Sequence, residues 1–200
     1  SYYKKSKGCY LWGIDGKKYM DMMFAVGTNT LGYCQTKVDK QIISSINKGN
    51  MTSLNNSEEV KLAKMLVKLH PWSSQVRFFR GGGEANAAAI RVARASTKKN
   101  NIAFCGYHGW HDWYLSANLS NESQLDSHLL PGLYPLGVPR ELKGTTFPFD
   151  YNDLESLEKL IRKHDIGIIK MEVSRSVRPD KNYLKSVRKL ASQHNIVLIF

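Results

Sequence analysis

Two glycine-bearing segments hold the residues best suited to chemistry: Arg80-Gly81-Gly82-Gly83-Glu84-Ala85-Asn86 and, further along, Gly106-Tyr107-His108-Gly109-Trp110. The first follows the apolar stretch Val76-Arg77-Phe78-Phe79, which predicts a strand. It runs into Ala87-Ala88-Ala89-Ile90-Arg91-Val92-Ala93-Arg94, a series of strong helix formers. Strand, glycine turn and helix together make a phosphate-binding geometry. Glycines let the backbone approach an anion, and first-turn N–H groups point at it with the positive end of the helix dipole behind them.

The details exclude the two common nucleotide sites. A P-loop closes on Gly-Lys-Ser/Thr, which does not occur here. A dinucleotide fingerprint needs a small residue where Asn86 stands. It also needs an acidic residue after the second strand, where Ile102-Ala103-Phe104-Cys105 is followed by Gly106 and Tyr107. What remains is a phosphate site beside a strand-end aromatic residue. That suits a flat, phosphorylated heteroaromatic ligand, with its ring stacked on Tyr107 or Trp110 and its phosphate on the glycine turn.

Composition sets the frame for this site. A chain of 200 residues, 42% of them hydrophobic, can bury the core of one large domain or of one with a small appendage. The net charge of +12 raises nucleic-acid binding as an option, but Lys and Arg are spread along the chain, with the densest cluster at Lys4-Lys5-Ser6-Lys7. Solvated lysine faces explain that spread, so no nucleic-acid partner is expected. Cys9, Cys34 and Cys105 are far apart and form no Cys-x-x-Cys, which gives neither a zinc site nor a disulfide framework. His108 and His111 lack the further ligands that a metal requires, so no metal is expected. No apolar run approaches membrane-spanning length and no signal peptide is read, so the expectation is a cytoplasmic protein without a membrane partner.

Along the chain the pattern is α/β. Residues 8–22 predict a hairpin turning at Asp15-Gly16 as a type I′ pair. Ser57 is the expected cap of a helix with Glu58 and Glu59 in its first turn, ending near His70 before Pro71. A strand at 76–79, a helix from about 84 to 96 and a strand at 102–105 come next. Residues 116–148, rich in Ser, Asn, Gly and Pro, predict a long loop of the kind that covers sites. A helix near 153–164, a strand at 166–173, a helix near 181–194 and a strand at 196–200 complete an alternation that predicts a doubly wound parallel sheet.

The chain resembles the class III aminotransferases of the pyridoxal-phosphate fold-type I group, most closely the glutamate-1-semialdehyde aminomutase-like branch. The resemblance rests on six segments in order. Gly8 to Asp21 is similar to the family's amino-terminal hairpin and Leu31-Gly32-Tyr33-Cys34 to the piece after it. Gly81 to Ala85 is similar to Ser-Gly-Thr-Glu-Ala, and Gly106 to Trp113 to the Gly-Tyr-His-Gly-Trp block. The last are Phe149 to Asp153 and the strand ending Met171-Glu172. Two departures stand out. Gly81 and Gly83 lack the family's hydroxyls, each loss removing a charge-assisted hydrogen bond to phosphate of about 1–3 kcal/mol. Val173 follows Glu172 where the family has proline.

The resemblance implies an α/β fold of the pyridoxal-phosphate-dependent transferase type I, with a doubly wound, mostly parallel sheet and a small amino-terminal hairpin segment. Residues 1–50 would belong to the small domain and 51–200 to the first part of the large cofactor-binding domain. Pyridoxal 5'-phosphate is the implied cofactor, held by Gly82, Gly83, Tyr107 and His108, with Glu172 on the substrate side or just behind it. No catalytic residue is expected within 1–200. Lys170 shares a face with Ile168 and Glu172 but is not the family's cofactor-bonding lysine. That lysine, and the aspartate that pairs with the pyridine nitrogen, are expected beyond Phe200, so the chain is expected to be truncated. The implied activity is amino-group transfer or its internal, mutase form on a small amino or keto substrate, in a homodimer. An aminotransferase of surface-polysaccharide synthesis and a non-catalytic phosphate-ligand domain stay open as alternatives. A nucleotide-dependent oxidoreductase is disfavoured by the failed fingerprint.

Overall fold

A computed structural model describes residues 2–121, 124–125, 132–174 and 176–200. The chain divides into two compact units, residues 1–76 and 77–200. Among the described residues no helix is long and apolar enough to cross a membrane.

The first unit opens with an antiparallel sheet of β1 (Tyr3–Lys7), β2 (Tyr10–Gly13) and β3 (Lys18–Met20), in that order. β1 was not anticipated, because its lysines read as a solvated cluster. Its Lys5 instead lies over the Trp12 ring, 4.7 Å from the centroid. The expected Asp15-Gly16 turn is present but is not type I′. Only Gly16 has positive φ, at 80°, and its N–H donates to Gly13 O while Gly13 N–H donates to Lys17 O. Type I′ needs both central residues at positive φ, so the three-residue connection displaces it. Two helices follow, α1 (Thr36–Asn47) and α2 (Ser57–Leu69). The cap of α2 is Asn56 rather than Ser57. The Asn56 side chain accepts from Glu58 N–H, leaving Ser57 as the first helical residue.

The second unit is a four-stranded parallel sheet ordered β5-β4-β6-β7. The strands are β4 (Asn101–Cys105), β5 (Thr146–Pro148), β6 (Ile166–Met171) and β7 (Val197–Ile199). Helix α3 (Gly82–Thr97) and the short α4 (Asp112–Leu115) precede β5, while α5 (Leu154–Lys163) and α6 (Tyr183–Gln193) flank β6. Strand residues alternate between the two faces. Ile102, Phe104 and Ile168 pack with Ile90 and Ala93 of α3 and with Trp113 and Tyr114. Ala103, Cys105, Ile169 and Met171 pack with Leu157 of α5 and Val187 and Ala191 of α6. The sheet is therefore covered on both faces, which explains why β6 is buried at every position.

Three expectations change in this unit. The stretch at 76–79 forms no strand: no described neighbour exchanges ladder hydrogen bonds with it, and Phe78 and Phe79 are 39% and 44% exposed. Helix α3 starts at Gly82, earlier than expected, because Gly82 and Gly83 form its first turn. The expected loop at 116–148 contains 3-10 turns at Ser116–Leu119 and Arg140–Leu142 and the edge strand β5. The parts of that loop at 122–123 and 126–131 lie outside the described residues.

Candidate cofactor site

The site builds from the amino end of α3. Gly81 is its N-cap, extended at φ −142° and ψ 154°, and offers no side-chain hydrogen bond. The first backbone bond closes from Ala85 N–H to Gly81 O at 3.0 Å, so the N–H groups of the turn ahead of it face outward for an acceptor. Glu84 settles the approach of the chain: its Oε2 accepts from Arg80 N–H at 3.3 Å, a reach back across the cap.

The Gly106–Trp110 segment docks directly on this turn. Gly109, at φ +103°, approaches so closely that a Cβ there would stand 3.2 Å from Gly83 Cα. A Cβ on Gly83 would in turn meet the His111 ring, 2.7 Å from Nε2. Asn86 then ties helix to loop, its Nδ2 donating to His108 O at 3.2 Å. The residue that rules out a dinucleotide fingerprint is thus the one that joins the two glycine segments. Its role was not foreseen, because its partner is a backbone carbonyl that no side-chain motif reveals.

His108 is 3% exposed and donates from Nε2 to Cys105 O at 2.8 Å. Its ring stacks on Trp113 with 6.1 Å between centroids. In this position it orders the loop. Tyr107 is half-buried at the end of the β4 segment, edge-on to Tyr114 at 5.9 Å and 88°. Tyr114, not singled out from sequence, also donates its hydroxyl to Gly106 O at 3.1 Å. Both hold the turn that presents Tyr107. Trp110 is 69% exposed.

Glu172 follows β6 and lies against Gly106, where an added Cβ would stand 2.4 Å from Oε2. Lys170 is 5% exposed, on the face shared with its register partners Phe104 and Ile199. Burial holds its ammonium below the usual lysine range, and the Glu172 carboxylate opposes that fall. Burial likewise pushes the Cys105 thiol up to about 12, helped by the Asp150 and Glu172 charges. Among the described residues no group of three or more His, Cys, Asp and Glu side chains is arranged to hold a metal.

The whole chain, residues 1–200, matches the aminotransferase class-III family, and it belongs to that family. A glutamate-1-semialdehyde 2,1-aminomutase of Methanobrevibacter smithii is 34% identical over 98% of this chain and 47% of its own length. A 3-aminobutyryl-CoA aminotransferase of Cloacimonas acidaminovorans is 33% identical over 100% of this chain and 46% of its own. The chain therefore spans about half the length of these relatives. An omega-transaminase structure from Sphaerobacter thermophilus superposes with a TM-score of 0.86 at 24% identity, covering 100% of this chain and 48% of that one, and so shares its fold.

Proposed function

We propose that the complete protein is a pyridoxal-phosphate-dependent aminotransferase or aminomutase of the glutamate-1-semialdehyde 2,1-aminomutase kind, acting on a small amino or keto substrate. One observation carries the reading. The helix turn at Gly82 and Gly83 offers N–H groups that no described residue claims, and it is packed through Gly109 against the turn that bears Tyr107. Phosphate and ring would thus be held by one rigid corner.

The residues fit such a cofactor. Gly82 and Gly83 offer backbone donors to a phosphate at a helix N-terminus, and no side-chain hydroxyl at Gly81 or Gly83 adds to them. Tyr107 offers an aromatic face for the ring. His108 and Asn86 keep the loop on the helix, and Glu172 stands at the substrate side of the β6 end. When bound, pyridoxal phosphate supplies an electron sink that stabilises a carbanion beside the substrate amine. The part played by residues 1–200 is binding and orientation, and none of them is assigned a proton or covalent step. The same reading takes the complete protein as a cytoplasmic homodimer, with its small domain beginning in 1–50 and its large domain in 51–200.

The test is a titration of the complete protein with pyridoxal phosphate, followed by absorbance and fluorescence, and then addition of amino donors. Binding and amino-group transfer are expected. Tyr107→Ala should weaken binding by about 0.5–1.5 kcal/mol beyond the lost area, and Tyr107→Phe by much less. Equal affinity in parent and alanine variant removes Tyr107 from the site. No binding by the parent overturns the cofactor reading.

A further inference from the structure

The segment after β5 crosses the carboxyl edge of the sheet, where α/β folds bind their ligands. Phe149 N–H donates to Phe104 O at 2.9 Å, which carries the β5–β4 pairing one step past the strand. Two residues on, the Tyr151 hydroxyl donates to Val173 O, just beyond the end of β6. β5 and β6 lie on opposite sides of β4, so this segment spans the end of β4. Asn152 then brackets the loop that follows β6. Its Nδ2 donates to Arg178 O and its Oδ1 accepts from Asp180 N–H, each at 3.0 Å. The Asn152 backbone is left-handed, at φ 67°, a conformation that asparagine adopts more readily than most residues.

These bonds fall beside the candidate site. Val173 is the residue after Glu172, and Glu172 is lodged against Gly106, whose turn carries Tyr107. A valine leaves φ free at 173 where a proline would fix it. The Tyr151 hydroxyl holds the Val173 carbonyl instead. The turn of Tyr107 has supports of its own, from Tyr114 to Gly106 O and from Asn86 to His108 O.

We propose that Tyr151 and Asn152 are positioning residues for the substrate side of the candidate site. They fix the main chain that leaves Glu172 and the loop after it, without holding the cofactor. This role rests on the cofactor site described under Proposed function.

The test uses the complete protein and two variants. Tyr151→Phe loses only the hydroxyl, and Asn152→Gly keeps the left-handed backbone while losing both side-chain bonds. Backbone hydrogen exchange at Val173, Ser174 and Val177, measured without cofactor, should speed by about tenfold in each variant. Exchange in α3 and β4 should match the parent. The affinity for pyridoxal phosphate should stay within about twofold of the parent, because the groups that hold it are supported separately. The half-saturating concentration of aminooxyacetate, a small carboxylate-bearing amine that reacts with the cofactor, should rise about fivefold.

Unchanged exchange at the three amides in both variants overturns the proposal. So does faster exchange with an unchanged response to aminooxyacetate, or a loss of cofactor affinity as large as the loss for aminooxyacetate. If Asn152→Gly does not fold, Tyr151→Phe decides alone by the same readouts. A parent that binds no pyridoxal phosphate removes the cofactor site and this role with it. The exchange result would then still report whether Tyr151 and Asn152 hold the loop after β6.

Discussion

Gly106 and Glu172 share one small volume: a Cβ on Gly106 would stand 2.4 Å from Oε2 of Glu172 and 3.1 Å from its Cδ. The cause is the register of the sheet. β4 and β6 run parallel with Cys105 opposite Met171, so the next residue of each strand meets the other just past the ladder. A side chain on both would not fit, and the one on β6 is the carboxylate.

Gly106→Ala should therefore destabilise the protein through two separable effects. A Cβ at φ +96° costs about 1–2 kcal/mol, and displacing the carboxylate adds to that. Melting should fall by about 2–4 °C for each kcal/mol in a domain of this size. Combining the change with Glu172→Ala should recover the steric part and leave the backbone part. A Gly106→Ala protein that melts like the parent would show that the turn is not held as described.

Gly83 poses a different problem, since its backbone is helical and, among the described residues, only the His111 ring stands in the way, 2.7 Å from an added Cβ. Alanine is a better helix residue than glycine by about 0.5–1 kcal/mol. Gly83→Ala should realise that gain in a His111→Ala background and lose most of it in the parent. Urea unfolding of the four proteins measures the coupling, and strictly additive effects would remove His111 from the account.

Much of the second unit was legible because its strands are continuous apolar runs and its helices carry repeating apolar faces. Ile102-Ala103-Phe104-Cys105 and Ile168-Ile169 could hardly be placed elsewhere. β5 was not legible: Thr146-Phe147-Pro148 is short, contains proline and sits in a Gly- and Pro-rich stretch. It is tolerated because it is the outer strand of the sheet. Helix α1 did leave a signal, an apolar stripe of Val38, Ile42, Ile43 and Ile46 at helical spacing. At the site, Gly82, Gly83 and Tyr107 could be picked out by residue type. Asn86 and Tyr114 could not, since each acts on a backbone carbonyl that only the folded chain brings near.

The three cysteines should separate cleanly by reactivity. Cys34 is exposed and Cys9 partly so, while Cys105 is buried in β4 with its thiol pushed up to about 12. The thiolate is the nucleophile, so at pH 8 Cys105 is starved both of access and of its reactive form. Iodoacetamide labelling followed by peptide mapping should modify Cys34 and Cys9 first, and Cys105 only on unfolding. Early labelling of Cys105 in the folded protein would contradict its placement in the core.

The burial of Lys170 gives stability a pH dependence of definite sign. Burial lowers its folded pKa below the ordinary 10.5 of the unfolded chain. At pH values below the folded pKa both states carry the proton, and the full cost of the buried charge falls on the folded state. Between the folded pKa and 10.5 the unfolded chain binds more protons than the native one, so the parent gains stability as pH rises. Above that window both states are neutral and the penalty is gone. Replacing a buried charge by an apolar residue of similar length is neutral or stabilising by about 1–4 kcal/mol, so Lys170→Met should be no less stable than the parent at pH 7. Its advantage should shrink as pH climbs toward 10.5. Glu172→Gln should widen the gap at pH 7, because it removes the charge that favours the ammonium. Urea unfolding of parent and variants across this range makes the comparison. Parallel stability curves for parent and Lys170→Met would mean that the Lys170 amine keeps an ordinary pKa in the folded protein.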